Sequence, residues 1–171
     1  MTDRQPRPHE LLLQHLAELK LNQIAETYRE VLDEAARKNA SMLDVLISLI
    51  ASEITARRQR ALERRIHQAK LPPRKTLEEY NFTFPRRIPK PKVLRLFDCE
   101  FVSQHHSAVL IGPTGVGKSH LLNALGYTAC EKAISTRWTR VIDMINVLTK
   151  AQINGTLESK LKEYIRPDLL L

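Results

Sequence analysis

The chain has 171 residues, with 27 Lys and Arg against 19 Asp and Glu and a formal net charge of +8; that length holds one domain, or one domain with an appended module, and the charge favours polyanionic partners. Cys99 and Cys130 are the only cysteines, which excludes a disulfide framework or a thiolate metal site and leaves them as plain buried thiols. The polar start Thr2 to Pro8, the short triplet Leu11 to Leu13, and a longest apolar stretch (Met42 to Ile50) broken by Asp44 and Ser48 exclude a signal-peptide core and a membrane span, so a reduced, cytoplasmic protein is expected.

Leu12, His15, Leu16 and Leu19 predict a short amphipathic helix, and Ile24, Tyr28, Val31, Leu32 and Ala35 predict a second that ends at Arg37-Lys38-Asn39. Ser41 and Asp44 have the spacing of a capping box opening a third helix. Leu43, Leu46, Ile47, Ile50 and Ile54 form its apolar face, and the period continues to Leu71, where Pro72-Pro73 stops it. Residues 1–71 are therefore expected to form a helical N-terminal module.

The far half of this third helix carries the charge. Arg57, Arg60 and Arg64 fall on one stripe, Arg58 and Arg65 on a second, and Leu62, Ile66 and Ala69 on the inward face. From Arg57 to Arg95 there are 13 basic residues and three acidic ones, so the rest of the chain is slightly negative. Glu63 is the only acid from Arg57 to Lys75, too little for salt-bridge lacing, and the five arginines are candidates for contact with DNA phosphates. A solvated helix face is the competing reading.

Residues 72–104 read as a proline-rich basic linker. Leu77, Tyr80, Phe82 and Phe84 are too apolar for a free tether and are expected to pack on the following domain, although aromatics interleaved with Arg86, Arg87 and Lys90 could instead stack bases of a single strand. Val93, Leu94, Leu96, Phe97 and Phe101 predict a helix, and His105-His106 a loop pair without metal-ligand spacing.

Residues 105–171 carry the strongest motif. Gly112-Pro113-Thr114-Gly115-Val116-Gly117-Lys118-Ser119 fits the phosphate-loop pattern G-x-x-x-x-G-K-[ST], the Walker A motif, at every specified position. The glycines let successive N–H groups turn toward phosphate oxygens, Lys118 is placed to reach the β- and γ-phosphates, and Ser119 is placed to put its hydroxyl on Mg²⁺. The helix opening there aims its positive end at the anion, and His120 joins the same turn. Ala108-Val109-Leu110-Ile111 suits a buried strand before the loop, and Leu121, Leu122, Leu125 and Ala129 suit a helix after it. ATP with Mg²⁺ is the expected ligand.

Ile134 to Thr139 then reads as a second strand, Arg140 to Ile153 as a helix stopped by Asn154-Gly155, and Leu157, Leu161, Tyr164 and Ile165 as another helix ended by Pro167. Alternating strands and helices imply an α/β fold with a parallel sheet. Hydrolysis also needs an acid to hold Mg²⁺ and a polar group to orient water, normally after a further buried strand. Asp168-Leu169-Leu170-Leu171 begins such a strand at the end of the sequence, and Val141-Ile142-Asp143 has a helical context. The chain is therefore expected to hold nucleotide weakly and to hydrolyse it poorly or not at all.

Taken together, Leu19-Lys20-Leu21, the basic run Ala56 to Arg65, Ala69-Lys70-Leu71-Pro72, Lys75-Thr76-Leu77-Glu78-Glu79-Tyr80-Asn81-Phe82, the phosphate loop with Ser119-His120-Leu121, and Arg166-Pro167-Asp168-Leu169-Leu170 resemble the IstB-like transposase helper ATPases, relatives of replicative helicase loaders within the AAA+ class. The resemblance implies a helical N-terminal module followed by a partial P-loop (AAA+-like) nucleotide-binding core that binds ATP, forms a homo-oligomer on DNA and assists a partner transposase (IstA-like). It also implies that the family's acid pair, polar sensor, arginine finger and lid have no counterpart in these residues, as in a truncated chain. Two further readings are an ATP-independent nucleic-acid or partner-binding adaptor with a relic phosphate loop, and a small-molecule P-loop kinase; the short spacing to the second strand disfavours the kinase.

Overall fold

The computed structural model describes residues 7–83 and 88–171. Phe84, Arg86 and Arg87, and the N-terminal residues before Arg7, lie outside the described residues. The chain divides into two compact units, Met1–Ala61 and Leu62–Leu171, with the boundary inside a single long helix.

The first unit holds α1 (Pro8–Glu18), α2 (Asn22–Lys38) and the start of α3 (Met42–Ala69). Pro8 sits at the first turn of α1, where no N–H is needed, and the Glu10 carboxylate accepts from the Arg7 amide at 3.1 Å. Lys20, at φ 55°, ends that helix, with Leu21 N–H donating back to Leu16 O at 2.8 Å. Asn39 does the same for α2 at φ 50°. The expected capping box opens α3: Ser41 N donates to Asp44 Oδ2 at 3.3 Å, and Asp44 N donates to Ser41 Oγ at 3.2 Å.

Leu16, Ile24 and Tyr28 form this unit's core, with Leu13, Leu21, Ala25 and Leu49 packed against it. One carboxylate ties the three helices together. Glu53 of α3 is 3% exposed and accepts from Gln23 N at 2.8 Å and Ile24 N at 3.3 Å, so it caps α2 from 30 residues away. The apolar stripe Leu43, Leu46, Ile47, Ile50 and Ile54 points outward, each residue at least 44% exposed.

The second unit continues through α4 (Lys90–Phe97), α5 (Glu100–Ser103), α6 (Lys118–Glu131), β1 (Thr136–Arg137), α7 (Val141–Ile153), α8 (Leu157–Ile165) and β2 (Leu169–Leu170). The single helix expected around Val93 to Phe101 is two, because Cys99 takes a left-handed conformation at φ 59°. The helix α6 is the axis of the core. Leu121, Ala124, Leu125 and Ala129 pack with Tyr80, Val93, Phe97, Cys99 and Leu169. Gly126 lets it approach its neighbours: a Cβ there would lie 2.5 Å from Leu71 Cδ2 and 2.9 Å from Leu171 Cδ1.

The strands β1 and β2 pair in parallel, Thr136 with Leu169 and Arg137 with Leu170, across the α7–α8 crossover. Asp168 sets this register. Its carboxylate accepts from Ser135 N at 3.1 Å and Ser135 Oγ at 2.7 Å, while its own N–H donates to Ser135 Oγ at 2.9 Å.

Two strand expectations are corrected. The strand read over 134–139 spans only two residues. The run Ala108 to Ile111 forms no strand: only β1 and β2 pair among the described residues, Val109 is 80% exposed and Ile111 92%. An apolar run becomes a strand only where a neighbour supplies ladder hydrogen bonds, and residues 107–111 make no backbone–backbone hydrogen bond among the described residues. Leu110 alone among them packs on the core. What the described residues form is a mixed helical fold with a small parallel sheet. No helix among them is long and apolar enough to cross a membrane.

Candidate phosphate-binding loop and basic helix

The loop 112–117 runs directly into α6, whose first residue is Lys118. Gly115 and Gly117 take left-handed conformations, φ 82° and 86°, which residues with a Cβ rarely adopt. Gly117 has a second reason to be glycine: a Cβ there would stand 2.5 Å from Tyr80 Cε2. These turns leave the N–H groups of Gly115, Val116, Gly117, Lys118 and Ser119 without a backbone acceptor among the described residues, an array of donors at a helix N-terminus. Lys118 Nζ folds back over the loop, donating to Gly112 O at 2.9 Å and Pro113 O at 2.6 Å. Ser119 is exposed in the first turn of α6. Pro113, Thr114 and Gly115 are exposed along the crest.

This donor set fits a polyphosphate. A cationic side chain sits within reach of the loop's mouth, the amides have no competing backbone acceptor among the described residues, and the hydroxyl of Ser119 stands where it could ligate a cation bridging phosphates.

His120 faces away from the crest. Its Nε2 lies 2.8 Å from Thr76 O, which can only accept, so Nε2 carries the proton, and its ring meets Tyr80 edge-on at 5.4 Å. This contact belongs to a strap, residues 71–82, laid along α6. Pro72 and Pro73 have no N–H, so their carbonyls carry the strap's local polar contacts. Asn123, 2% exposed, donates through Nδ2 to both, at 3.4 and 3.1 Å, and accepts from Lys75 N at 3.2 Å. Tyr127 Oη donates to Pro72 O at 3.1 Å, and Arg74 pairs with Glu131 at 3.0 Å. Thr76 and Glu79 close the next turn reciprocally, at 3.0 and 3.4 Å. The strap delivers Tyr80, 8% exposed, whose hydroxyl donates to Val116 O at 2.7 Å. The ring also meets Phe82 edge-on.

Sequence reasoning assigned Tyr80 to packing and overlooked Asn123. The Thr76-x-x-Glu79 spacing was the available signal that this stretch turns in a fixed way; nothing local announced the polar partner on α6.

The five arginines of α3 divide. Arg57 Nε and Arg60 Nη2 donate to Glu53 Oε1 at 3.0 and 3.1 Å, and Arg57 Nη2 also reaches Leu19 O and Lys20 O. Arg65 Nε donates to Cys130 O at 2.9 Å. Arg58 and Arg64 are exposed. The expectation that no acid laces the stripe is corrected: Glu53, one turn before Arg57, pairs with both Arg57 and Arg60. Burial alone would raise the Glu53 carboxyl, but the Arg57 hydrogen bond, the amides of Ile24 and Gln23 and the Arg57 charge outweigh it and hold the group below its ordinary value.

Asp143 lies in the first turn of α7, bonded to Arg140 at 2.6 and 3.1 Å. Cys99 and Cys130 are buried free thiols, both pushed up by burial. No cluster of three metal-ligating side chains occurs among the described residues.

Residues 14–171 match the family described as IstB-like ATP binding protein. Similar proteins include an ATP-binding protein, so named, of insertion sequence IS232 from Bacillus thuringiensis subsp. berliner, 32% identical over 95% of this chain and 65% of its own length. A second, of IS21 from Pseudomonas aeruginosa, is 34% identical over 86% of this chain and 56% of its own length. A third, of IS5376 from Geobacillus stearothermophilus, is 29% identical over 90% and 61%. The chain thus spans less than two thirds of the length of these relatives.

Proposed function

The chain belongs to the IstB-like ATP binding protein family, and on that premise we propose that it binds ATP with Mg²⁺ through the 112–119 loop and serves as a helper in DNA transposition. The observation that carries the reading is the loop itself: two left-handed glycines, five amides without backbone acceptors among the described residues, and Lys118 at the helix start. In this reading Lys118 exchanges the Gly112 and Pro113 carbonyls for the β- and γ-phosphates. The amides of Gly115 to Ser119 bind phosphate oxygens, with Pro113 and Thr114 shaping the crest and His120 fixing the loop to the strap. Bound Mg²⁺, held by Ser119, would offset phosphate charge. The residues named support binding; none is assigned to hydrolysis.

DNA is the second partner in the proposal, met through the basic face of α3, with Arg57, Arg58 and Arg64 as its exposed members, Arg57 being engaged with Glu53, and Arg60 and Arg65 half-buried. A cytoplasmic setting, a partner transposase and self-association on DNA complete the reading, in line with the insertion-sequence names of the relatives. The core is proposed to be of the AAA+-like P-loop kind, with the helical module at 1–71 and the strap region within 72–104.

The deciding experiment compares ATP affinity of the chain with that of Lys118→Ala. A large loss is expected. Equal affinities would overturn the reading in favour of an ATP-independent adaptor.

A further inference from the structure

A cavity of about 730 Å³ opens in the second unit among the last turns of α3, the strand β1 and the helix α8. Five cations line it, Arg65, Lys70, Arg137, Lys162 and Arg166, and one carboxylate, Glu163. That carboxylate is shared: one oxygen accepts from Lys160 at 2.6 Å and the other lies 3.6 Å from Arg137, so a single negative charge stands against five lining cations. Lys162 pairs outward with Glu158, and Arg65 spends its Nε on Cys130 O. The cavity therefore keeps a surplus of positive charge, on side chains from three separate elements.

Arg137 is the telling member. Its backbone is fixed in β1 opposite Leu170, its side chain is 13% exposed, and its guanidinium lies 5.6 Å above the Tyr164 ring. The reach to Glu163 is long, 3.6 Å, and its Nε is buried with no acceptor among the described residues. A buried donor without a partner is costly and rare in folded chains, and Arg137 also lines the cavity, with a guanidinium suited to phosphate oxygens.

We infer that this cavity binds the phosphodiester backbone of DNA. The cavity, at about 730 Å³ with lining cations from three elements, has more room and more charge than one phosphate needs, which suits successive phosphates better than a single anion. Tyr164 lies beneath Arg137 and His67 is the aromatic ring of the lining, so contact of the cations with phosphates outweighs base stacking and binding should depend little on sequence. The inference rests on the proposal that the chain acts on DNA, and it assigns the contact to residues other than Arg58 and Arg64.

The test is fluorescence anisotropy of the full chain with a labelled mixed-sequence duplex, at several salt concentrations, with ATP affinity measured in parallel. Lys162→Gln/Arg166→Gln alters two exposed cations. It should weaken duplex binding about tenfold and reduce the salt slope by about two, leaving ATP affinity unchanged. Arg137→Gln should act likewise wherever its melting temperature shows a folded chain. Unchanged affinity and slope in the folded double variant would overturn the inference. So would stabilisation by inorganic phosphate that the double variant loses while its duplex binding persists, since that marks a small-anion site. If only Arg58→Gln/Arg64→Gln weakens binding, the cavity assignment falls and the DNA reading stands. If the wild-type chain binds no duplex, both fall.

Discussion

The hydroxyl of Tyr80 donates to the carbonyl of Val116 at 2.7 Å, and its ring occupies the space that a Cβ on Gly117 would need. One side chain therefore fixes the phosphate loop twice, by a hydrogen bond to its crest and by contact under its last glycine. Tyr80→Phe keeps the ring and removes only the bond. It should cost about 1 kcal/mol of loop order, read as a several-fold weaker ATP affinity by calorimetry with little change in melting temperature. Gly117→Ala must resolve both the left-handed backbone and the clash, so it should lose about 1–2 kcal/mol from the backbone alone and bind nucleotide worse than Tyr80→Phe. Equal affinities for the two variants would contradict this account.

The loop was legible in the sequence because its pattern encodes a local backbone path: left-handed glycines, then a helix start. The strap was only half legible. Leu77 and Tyr80 announced packing, but their target is set by Asn123, 48 residues beyond Lys75. The strand before the loop was misread for a related reason. Ala108 to Ile111 has the composition of a buried strand, yet burial and pairing come from neighbours that local composition does not specify, and Val109 and Ile111 face outward. Glu53 escaped notice because its partners lie on both sides: Arg57 and Arg60 after it, the start of α2 well before it.

Releasing the strap should weaken the site at a distance. Asn123→Leu removes one acceptor and the donor shared by the Pro72 and Pro73 carbonyls, leaving Lys75 N–H without its partner. A loss of about 1–3 kcal/mol in denaturant unfolding is expected. Limited proteolysis should cut faster between residues 72 and 83, and ATP affinity should fall less than in Lys118→Ala. Protection equal to the wild type would mean that the strap is held by its apolar residues alone.

The paired starts of β1 and β2 carry their own prediction. The Ser135 hydroxyl and amide hold the Asp168 carboxyl below its ordinary value. Asp168→Asn keeps the shape but weakens charge-assisted bonds at an exposed site, so a loss of about 1 kcal/mol or less is expected. Hydrogen exchange should locate the change at Ser135 and Leu169, and uniform loosening of the second unit would argue against a local register lock.

Glu53 predicts an acid-sensitive first unit. Its carboxyl lies below the ordinary value of 4.5, so the ionised form is the one the fold prefers. A lowered group contributes stability that is fully present above the unfolded value and is lost as pH falls through the folded one. Glu53→Gln should therefore destabilise the unit by about 2–3 kcal/mol near neutral pH, with the gap from wild type narrowing below about pH 4. Chemical denaturation at several pH values reads this directly, and a gap independent of pH would refute it.

The same carboxylate separates two kinds of arginine on one helix. Arg57 and Arg60 are engaged with Glu53, so replacing either by Gln leaves a buried carboxylate short of a partner. Arg57→Gln should lower the melting temperature, because its guanidinium also bonds the carbonyls of Leu19 and Lys20 at the end of α1. Arg58→Gln and Arg64→Gln touch exposed side chains and should leave the melting temperature alone. If α3 meets DNA, each should lower the salt slope of duplex binding by about one, weakening binding similarly for every sequence. Spacing alone put the five arginines on two stripes and made all of them candidates for DNA contact; Glu53 draws Arg57 and Arg60 into the fold. Should Arg57→Gln prove as stable as Arg58→Gln, that division is wrong and the stripe acts as one face after all.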